Sequence, residues 1–120
     1  MARMNAAAPL IVALPEEIDI TNSVAVRDAL LDATAACSLV IADMTGTTFC
    51  DCSAVRALLT VCRCAHARGA TLRIAVTPGS APARVMALVG AYPVLPVYPC
   101  VGAALPAAGA REARTAAMCL

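Results

Sequence analysis

The sequence lacks several residue types on which common functions depend. It has no Trp and no Lys, and Phe49 is its only Phe. Without Lys, a Walker-type phosphate-binding loop is excluded. The nine Arg residues are scattered along the chain and give a net charge of only +1, so no basic patch of the kind that binds nucleic acid is present. With almost no aromatic residues, the core has to be built from Ala, Val, Leu and Ile.

Charge is also scarce, since only 14% of the residues are charged and the segment 85–110 has none. Pro and Gly interrupt that segment repeatedly, which argues against a membrane-spanning helix and for several short buried elements. The apolar run at residues 6–14 resembles the middle of a signal peptide, but it is short and leads to no cleavage site, so we predict a cytoplasmic protein without membrane insertion. The seven cysteines are then expected to be reduced thiols that pack as small hydrophobic residues.

Apolar runs and helical periodicity alternate along the 120-residue chain, which has the length of one domain. This alternation predicts an α/β fold. We expect a N-terminal extension at 1–9, a domain at 10–108, and a C-terminal tail or helix extension at 109–120. The predicted strands lie at 10–14, 39–42, 71–76 and 95–98, and the predicted helices lie near 23–35, 52–68, 82–89 and 101–108.

Metal and nucleophile sites find little support in the sequence. His66 is the only histidine and is expected on the surface of the second helix. The Cys pairs at 50/52 and 62/64 have one intervening residue, whereas structural zinc sites prefer two to four, so we predict no metal and no cofactor. Cys50 and Cys52 flank a turn at a helix N-terminus, a position that lowers a thiol pKa. They are interpreted either as redox-active thiols or as inert core residues.

The segment 39–59 contains an apolar strand, then Asp43-Met44, and then a short loop to Phe49-Cys50-Asp51-Cys52-Ser53-Ala54 and a helix with Leu58-Leu59. It resembles the STAS domain family, whose pattern is an apolar strand, Asp-Leu, and Phe-x-Asp-Ser-Ser-Gly before a helix. The turn Glu17-Ile18-Asp19, Gly69 before the third strand and the segment 94–99 agree in order and spacing, so that the resemblance covers about residues 10–105.

The resemblance implies a mixed β-sheet of about four to five strands with helices largely on one face, and no catalysis. In the regulatory branch of the family, an anti-sigma factor antagonist binds an anti-sigma factor with a histidine-kinase-like ATPase fold and releases a sigma factor. It would do so as a monomer or weak dimer. The partner phosphorylates the first hydroxyl residue after the motif Asp, and the added charge breaks the complex.

The sequence departs from this pattern at the phosphoacceptor position, which is Cys52, while Ala54 replaces the family's glycine. Either the protein is an antagonist without a phosphorylation switch, or oxidation of Cys52 replaces phosphorylation. The predicted phosphoacceptor-like switch residues are Cys52 and Ser53, and the predicted partner-binding residues are Asp19, Asp51, Cys52, Ser53, Ala54 and Arg56. Alternatively, Ser53 only caps the helix and Asp51 only favours its positive end.

Other functional classes stay open at this stage. The chain is alternatively a STAS subunit of a membrane transport assembly that binds a transporter ATPase. A thiol oxidoreductase using Cys50 or Cys52 is less favoured, since the sequence has no Cys-x-x-Cys pair at these positions. A degenerate paralogue that has lost its partner is a further alternative.

Overall fold

The computed structural model describes residues 8–107 and 113–118. Its centre is a five-stranded sheet in the order β6-β5-β3-β1-β7. The strands are β1 (Leu10–Ala13), β3 (Leu39–Asp43), β5 (Thr71–Ala75), β6 (Val97–Tyr98) and β7 (Arg114–Ala117). The α/β class and the four strands predicted from the sequence are confirmed, and Val97–Tyr98 lies at one edge of the sheet.

The sheet is parallel at each described pairing, where the family resemblance implied a mixed sheet. Each pair of consecutive strands in this sheet is connected through a helix, which returns the chain to the same end of the sheet. Parallel strands carry helices on their faces and therefore consist of continuous apolar runs. Leu39–Asp43 has this character: Val40, Ile41 and Ala42 are completely buried, because they point alternately to two covered faces.

The described ranges contain four helices that cover the sheet, and three of them share one face. They are α1 (Ser23–Ala36), α2 (Cys52–Ala67), α3 (Ala81–Leu88) and α4 (Val101–Ala104). Buried side chains of α1, α2 and α3, such as Leu30, Leu58 and Met86, form one core with Val40 and Ile74. The prediction of helices largely on one face is therefore confirmed, and α4 is the exception.

The opposite face holds a smaller core. Ala104 of α4 packs there with Ile11, Ile41 and Ala75. The guanidinium of Arg73 on the same face donates to the Ala104 carbonyl at 2.6 Å. Helix α4 ends at Ala104, so it is shorter than the predicted 101–108 segment.

The C-terminal region contains a strand. For residues 109–120 the sequence predicted a tail or a helix extension, and the helix is wrong for the described part, because Arg114–Ala117 pairs in parallel with β1. The Arg114 N–H donates to the Pro9 carbonyl at 3.0 Å, and the Met118 N–H donates to the Ala13 carbonyl at 3.2 Å. The sheet therefore extends beyond the predicted domain limit at residue 108, whereas residues 1–7 of the predicted N-terminal extension lie outside the described residues.

A second, two-stranded parallel sheet lies beside the main one. It pairs β2 (Glu17–Ile18) with β4 (Phe49–Cys50), and Ile18 lies opposite Cys50. Strand periodicity buries Ile18 and Cys50 and turns Phe49 outward, with 48% of its surface exposed. In this small sheet, β2 leads into the loop before α1, and β4 leads to the start of α2.

Within residues 8–107 and 113–118, no helix is both long enough and apolar enough to cross a membrane. The charge-free segment 85–110 is divided among the end of α3, a loop, β6 and α4 in its described part. This division agrees with the prediction of several short elements.

Candidate functional site

The start of α2 is fixed by a side-chain cap. Asp51 follows β4 in an extended conformation and is the N-cap residue of α2. Its carboxylate accepts the Ser53 N–H at 2.9 Å, the Ala54 N–H at 3.3 Å and the Ser53 hydroxyl. The first backbone N–H groups of a helix have no partner inside the helix, and Asp is among the residues that satisfy them best. The capping role predicted for Ser53 therefore belongs to Asp51, and Ser53 is one of its donors.

These bonds stabilise the ionised form of Asp51. The Ser53 hydroxyl, followed by the backbone N–H groups of Ala54, Ser53 and Ile20, lowers the pKa of the Asp51 carboxyl below its ordinary 3.8. The loop after β2 reaches the start of α2, since Ile20 and Ser53 line the same groove.

The β2–α1 loop repeats the same local structure. Asp19 follows β2 as Asp51 follows β4, and the Asp51 N–H donates to the Ile18 carbonyl at 3.2 Å. The Asp19 carboxylate accepts both the N–H of Thr21, at 2.9 Å, and the Thr21 hydroxyl. Because the two loops leave adjacent parallel strands, Asp19 and Asp51 lie at the same end of the molecule.

A groove between α1 and α2 opens beside these loops. We call it the α1–α2 groove; its volume is about 220 Å³, and its lining residues are Ile20, Ser23, Val24, Arg27, Ser53, Arg56, Ala57 and Thr60. Ser53 and Arg56, both predicted as partner-binding residues, are therefore brought together at one surface. Cys52 is exposed at the first position of α2, next to the groove and outside its lining.

Two apolar residues at this surface were not predicted from the sequence. Ile20 is 72% exposed and Val24 is 54% exposed. Exposed apolar side chains grouped beside polar ones are typical of protein-binding surfaces. The helical periodicity of α1 indicates that Val24 is exposed, because Val24 lies outside the buried stripe of Val26 and Leu30.

One predicted partner-binding residue does not reach the surface. Ala54 is 1% exposed and belongs to the inward stripe of α2 with Val55 and Leu58. Its side chain therefore packs in the core and does not contact a partner. The other predicted partner-binding residues are exposed or half-buried: Asp19, Asp51, Cys52, Ser53 and Arg56.

The two thiols near the start of α2 differ sharply. Burial, followed by the nearby Asp51 carboxylate and the Cys52 thiol, raises the pKa of Cys50 to about 11. The lowering expected from the helix N-terminus is therefore wrong for Cys50, which stays protonated at neutral pH as an inert core thiol. The exposed Cys52 is the accessible thiol of this pair.

The remaining sequence predictions concern metals and histidine. Six cysteines in the described chain are free thiols: Cys37, Cys50, Cys52, Cys62, Cys64 and Cys100. Over the described ranges no group of His, Cys, Asp and Glu side chains is arranged to hold a metal ion. His66 is exposed on α2, as predicted.

Comparison with known protein families identifies the family of this chain. The family model of the STAS domain matches residues 3–104. The chain belongs to the STAS domain family, and its five-stranded sheet with helices largely on one face agrees with that assignment. Comparison with curated proteins gives no significant match. Membership of this family identifies the chain as a regulatory protein-binding module.

Proposed function

We propose that this protein is a cytoplasmic anti-sigma factor antagonist, which binds an anti-sigma factor with a histidine-kinase-like ATPase fold and thereby releases a sigma factor. It acts by binding and catalyses no reaction itself. The observation that carries the proposal is the surface at the start of α2, where the family's phosphoacceptor position adjoins a groove with exposed apolar residues. A rigid helix start with accessible loops is a common arrangement for protein recognition.

The antagonist works without a phosphorylation switch. Cys52 stands at the acceptor position and offers a thiol where the family has a hydroxyl. The neighbouring hydroxyl of Ser53 is half-buried and donates to the Asp51 carboxylate. A phosphate on Ser53 would lose this bond and place about two negative charges beside an anionic side chain, which is unfavourable.

Calorimetric titration of the reduced protein against the anti-sigma factors of its own organism tests the proposal. We expect sub-micromolar binding to one of them with ADP present. The complex should persist after incubation with ATP, and mass spectrometry should find no phosphate on Ser53. No binding to any of these factors would contradict the proposal and would favour a STAS subunit of a membrane transport assembly.

Two matched substitutions locate the contact. Val24→Asp adds a charge beside the α1–α2 groove and should weaken binding by at least about tenfold, since a desolvated unpaired charge is costly. Leu88→Asp is the control, because Leu88 is 86% exposed and does not line the groove. Equal losses with both variants would contradict this placement of the surface.

A third substitution tests the role of position 52. Cys52→Ser restores the family's acceptor, so the same partner should phosphorylate the variant and release it when ATP is added. The wild type should stay bound. If an oxidant released the wild type and a reductant restored binding, the thiol switch at Cys52 would replace the switch-free antagonist.

A further inference from the structure

A second groove lies on the other side of α2 from the α1–α2 groove. It is formed by α2, the start of β5 and the segment before β6, and we call it the α2–β5 groove. Its volume is about 360 Å³, and it is lined by Leu59, Cys62, Arg63, His66, Ala70, Thr71, Leu72, Val94 and Pro96. This volume lies within the range of small-molecule sites, roughly 300–1,000 Å³.

The lining combines apolar walls with positive charge. Leu59, Leu72 and Val94 are apolar lining residues, and Val94 is 67% exposed, which leaves apolar surface in contact with water. Arg63 and His66 lie about one turn apart on α2, and both are exposed. No described residue of the lining is acidic, and the one ion pair found in the described ranges is Arg27–Asp28. The groove therefore favours a ligand with an apolar body and a negative charge.

The volume of the groove indicates how much of a ligand it can hold. A water molecule occupies about 30 Å³ in the liquid, so a volume of about 360 Å³ corresponds to roughly a dozen non-hydrogen atoms. A guanidinium group binds a carboxylate through two parallel N–H bonds, and its planar shape matches that anion.

We propose that the α2–β5 groove binds a small amphipathic carboxylate of about ten non-hydrogen atoms. The carboxylate lies at Arg63 with the His66 imidazole beside it, and the apolar chain lies against Leu59, Leu72 and Val94. Because this groove is separated from the α1–α2 groove by α2, the proposal is independent of the proposed partner surface.

Calorimetry with octanoate as the probe tests the charge and the chain separately. Octanoate should bind saturably with a dissociation constant below about 1 mM, as expected for a ligand of this size. Octylamine and octanol carry the same chain without the negative charge and should bind at least about tenfold more weakly. Absence of saturation up to about 10 mM octanoate, or equal binding of the three probes, would overturn the proposal.

Cys62 provides a readout that is specific to the site. It lines the groove, whereas Cys64 is exposed and does not line it. Burial raises the pKa of the Cys62 thiol to about 11, so alkylation of this half-buried thiol is followed at about pH 9, where more of it is ionised. Octanoate should slow alkylation of Cys62 without slowing that of Cys64, as followed by peptide mass spectrometry. Equal protection of both thiols would indicate a general effect on the fold and would overturn the proposal.

A matched pair of arginine variants completes the test. Arg63→Gln should weaken octanoate binding at least about tenfold and abolish the protection of Cys62, because it removes the partner of the carboxylate. Arg68→Gln makes the same charge change outside the lining and should bind as the wild type does. Thermal unfolding of both variants checks that they are folded. Wild-type binding by a folded Arg63→Gln variant would overturn the proposal.

Discussion

The cap of α2 at Asp51 leads to a quantitative prediction. Its carboxylate accepts two backbone N–H groups and one hydroxyl. Replacing an Asp N-cap by Ala costs about 0.5–2 kcal/mol, and loss of its charge near the helix N-terminus adds about 0.3–1 kcal/mol. We therefore expect Asp51→Ala to lower the free energy of unfolding by about 2 kcal/mol. For a chain of this size the melting temperature should fall by roughly 6–10 °C.

Asp51→Asn separates the hydrogen bonds from the charge. Asn caps a helix about as well as Asp, so this variant should lose only about 0.5 kcal/mol at pH 7. Urea and thermal unfolding followed by circular dichroism measure both variants against the wild type. If Asp51→Asn were as unstable as Asp51→Ala, or if Asp51→Ala matched the wild type, the capping argument would be refuted.

The pH dependence of the same variants has a defined sign. The pKa of Asp51 in the folded protein is lowered below 3.8, chiefly by the Ser53 hydroxyl. A lowered folded-state pKa contributes stability that is present above the unfolded-state pKa and is lost as the pH falls through the folded-state value. The advantage of the wild type over Asp51→Asn should therefore be constant from pH 5 to 7 and should shrink below about pH 4. An advantage that grew in acid would contradict the lowered pKa.

Two further predictions concern thiol reactivity and the C-terminal strand. At pH 7.5, iodoacetamide should modify the exposed Cys52 rapidly. Cys50 is buried and has a pKa of about 11, so it should react only after denaturant is added. Modification of Cys50 in the native protein at the rate of Cys52 would contradict this prediction. Ala116→Pro should destabilise the protein by about 1–3 kcal/mol. The N–H groups of residues 114 and 118 donate to carbonyls at β1, so the N–H of Ala116, midway between them, points the same way, and proline removes it. Thr115→Pro is the control for urea unfolding, since the N–H of Thr115 points away from β1, and an equal loss in both variants would show that the pairing does not stabilise the sheet.

Elements with strong local patterns were predictable from the sequence alone. The apolar, β-branched run at 39–42 predicts a strand that is buried on both faces of a sheet. Gly69 follows α2 at a φ of +79°, in the left-handed region where a residue with a side chain is strained, so the end of this helix was predictable to within a residue. The order of residues from Leu39 to Leu59 was also sufficient to indicate the family.

Features that depend on distant neighbours are set by tertiary contacts. Arg114–Ala117 has no strong strand propensity, and it is a strand because the free edge of β1 offers unpaired backbone groups. The parallel pairing of β2 with β4 joins the loops of Asp19 and Asp51, and no spacing along the chain encodes this contact. Burial raises the pKa of Cys50 where the local helix dipole would have lowered it, since desolvation depends on the whole fold around the thiol. Local patterns thus gave the elements, and packing between distant segments determined which side chains are accessible at the site.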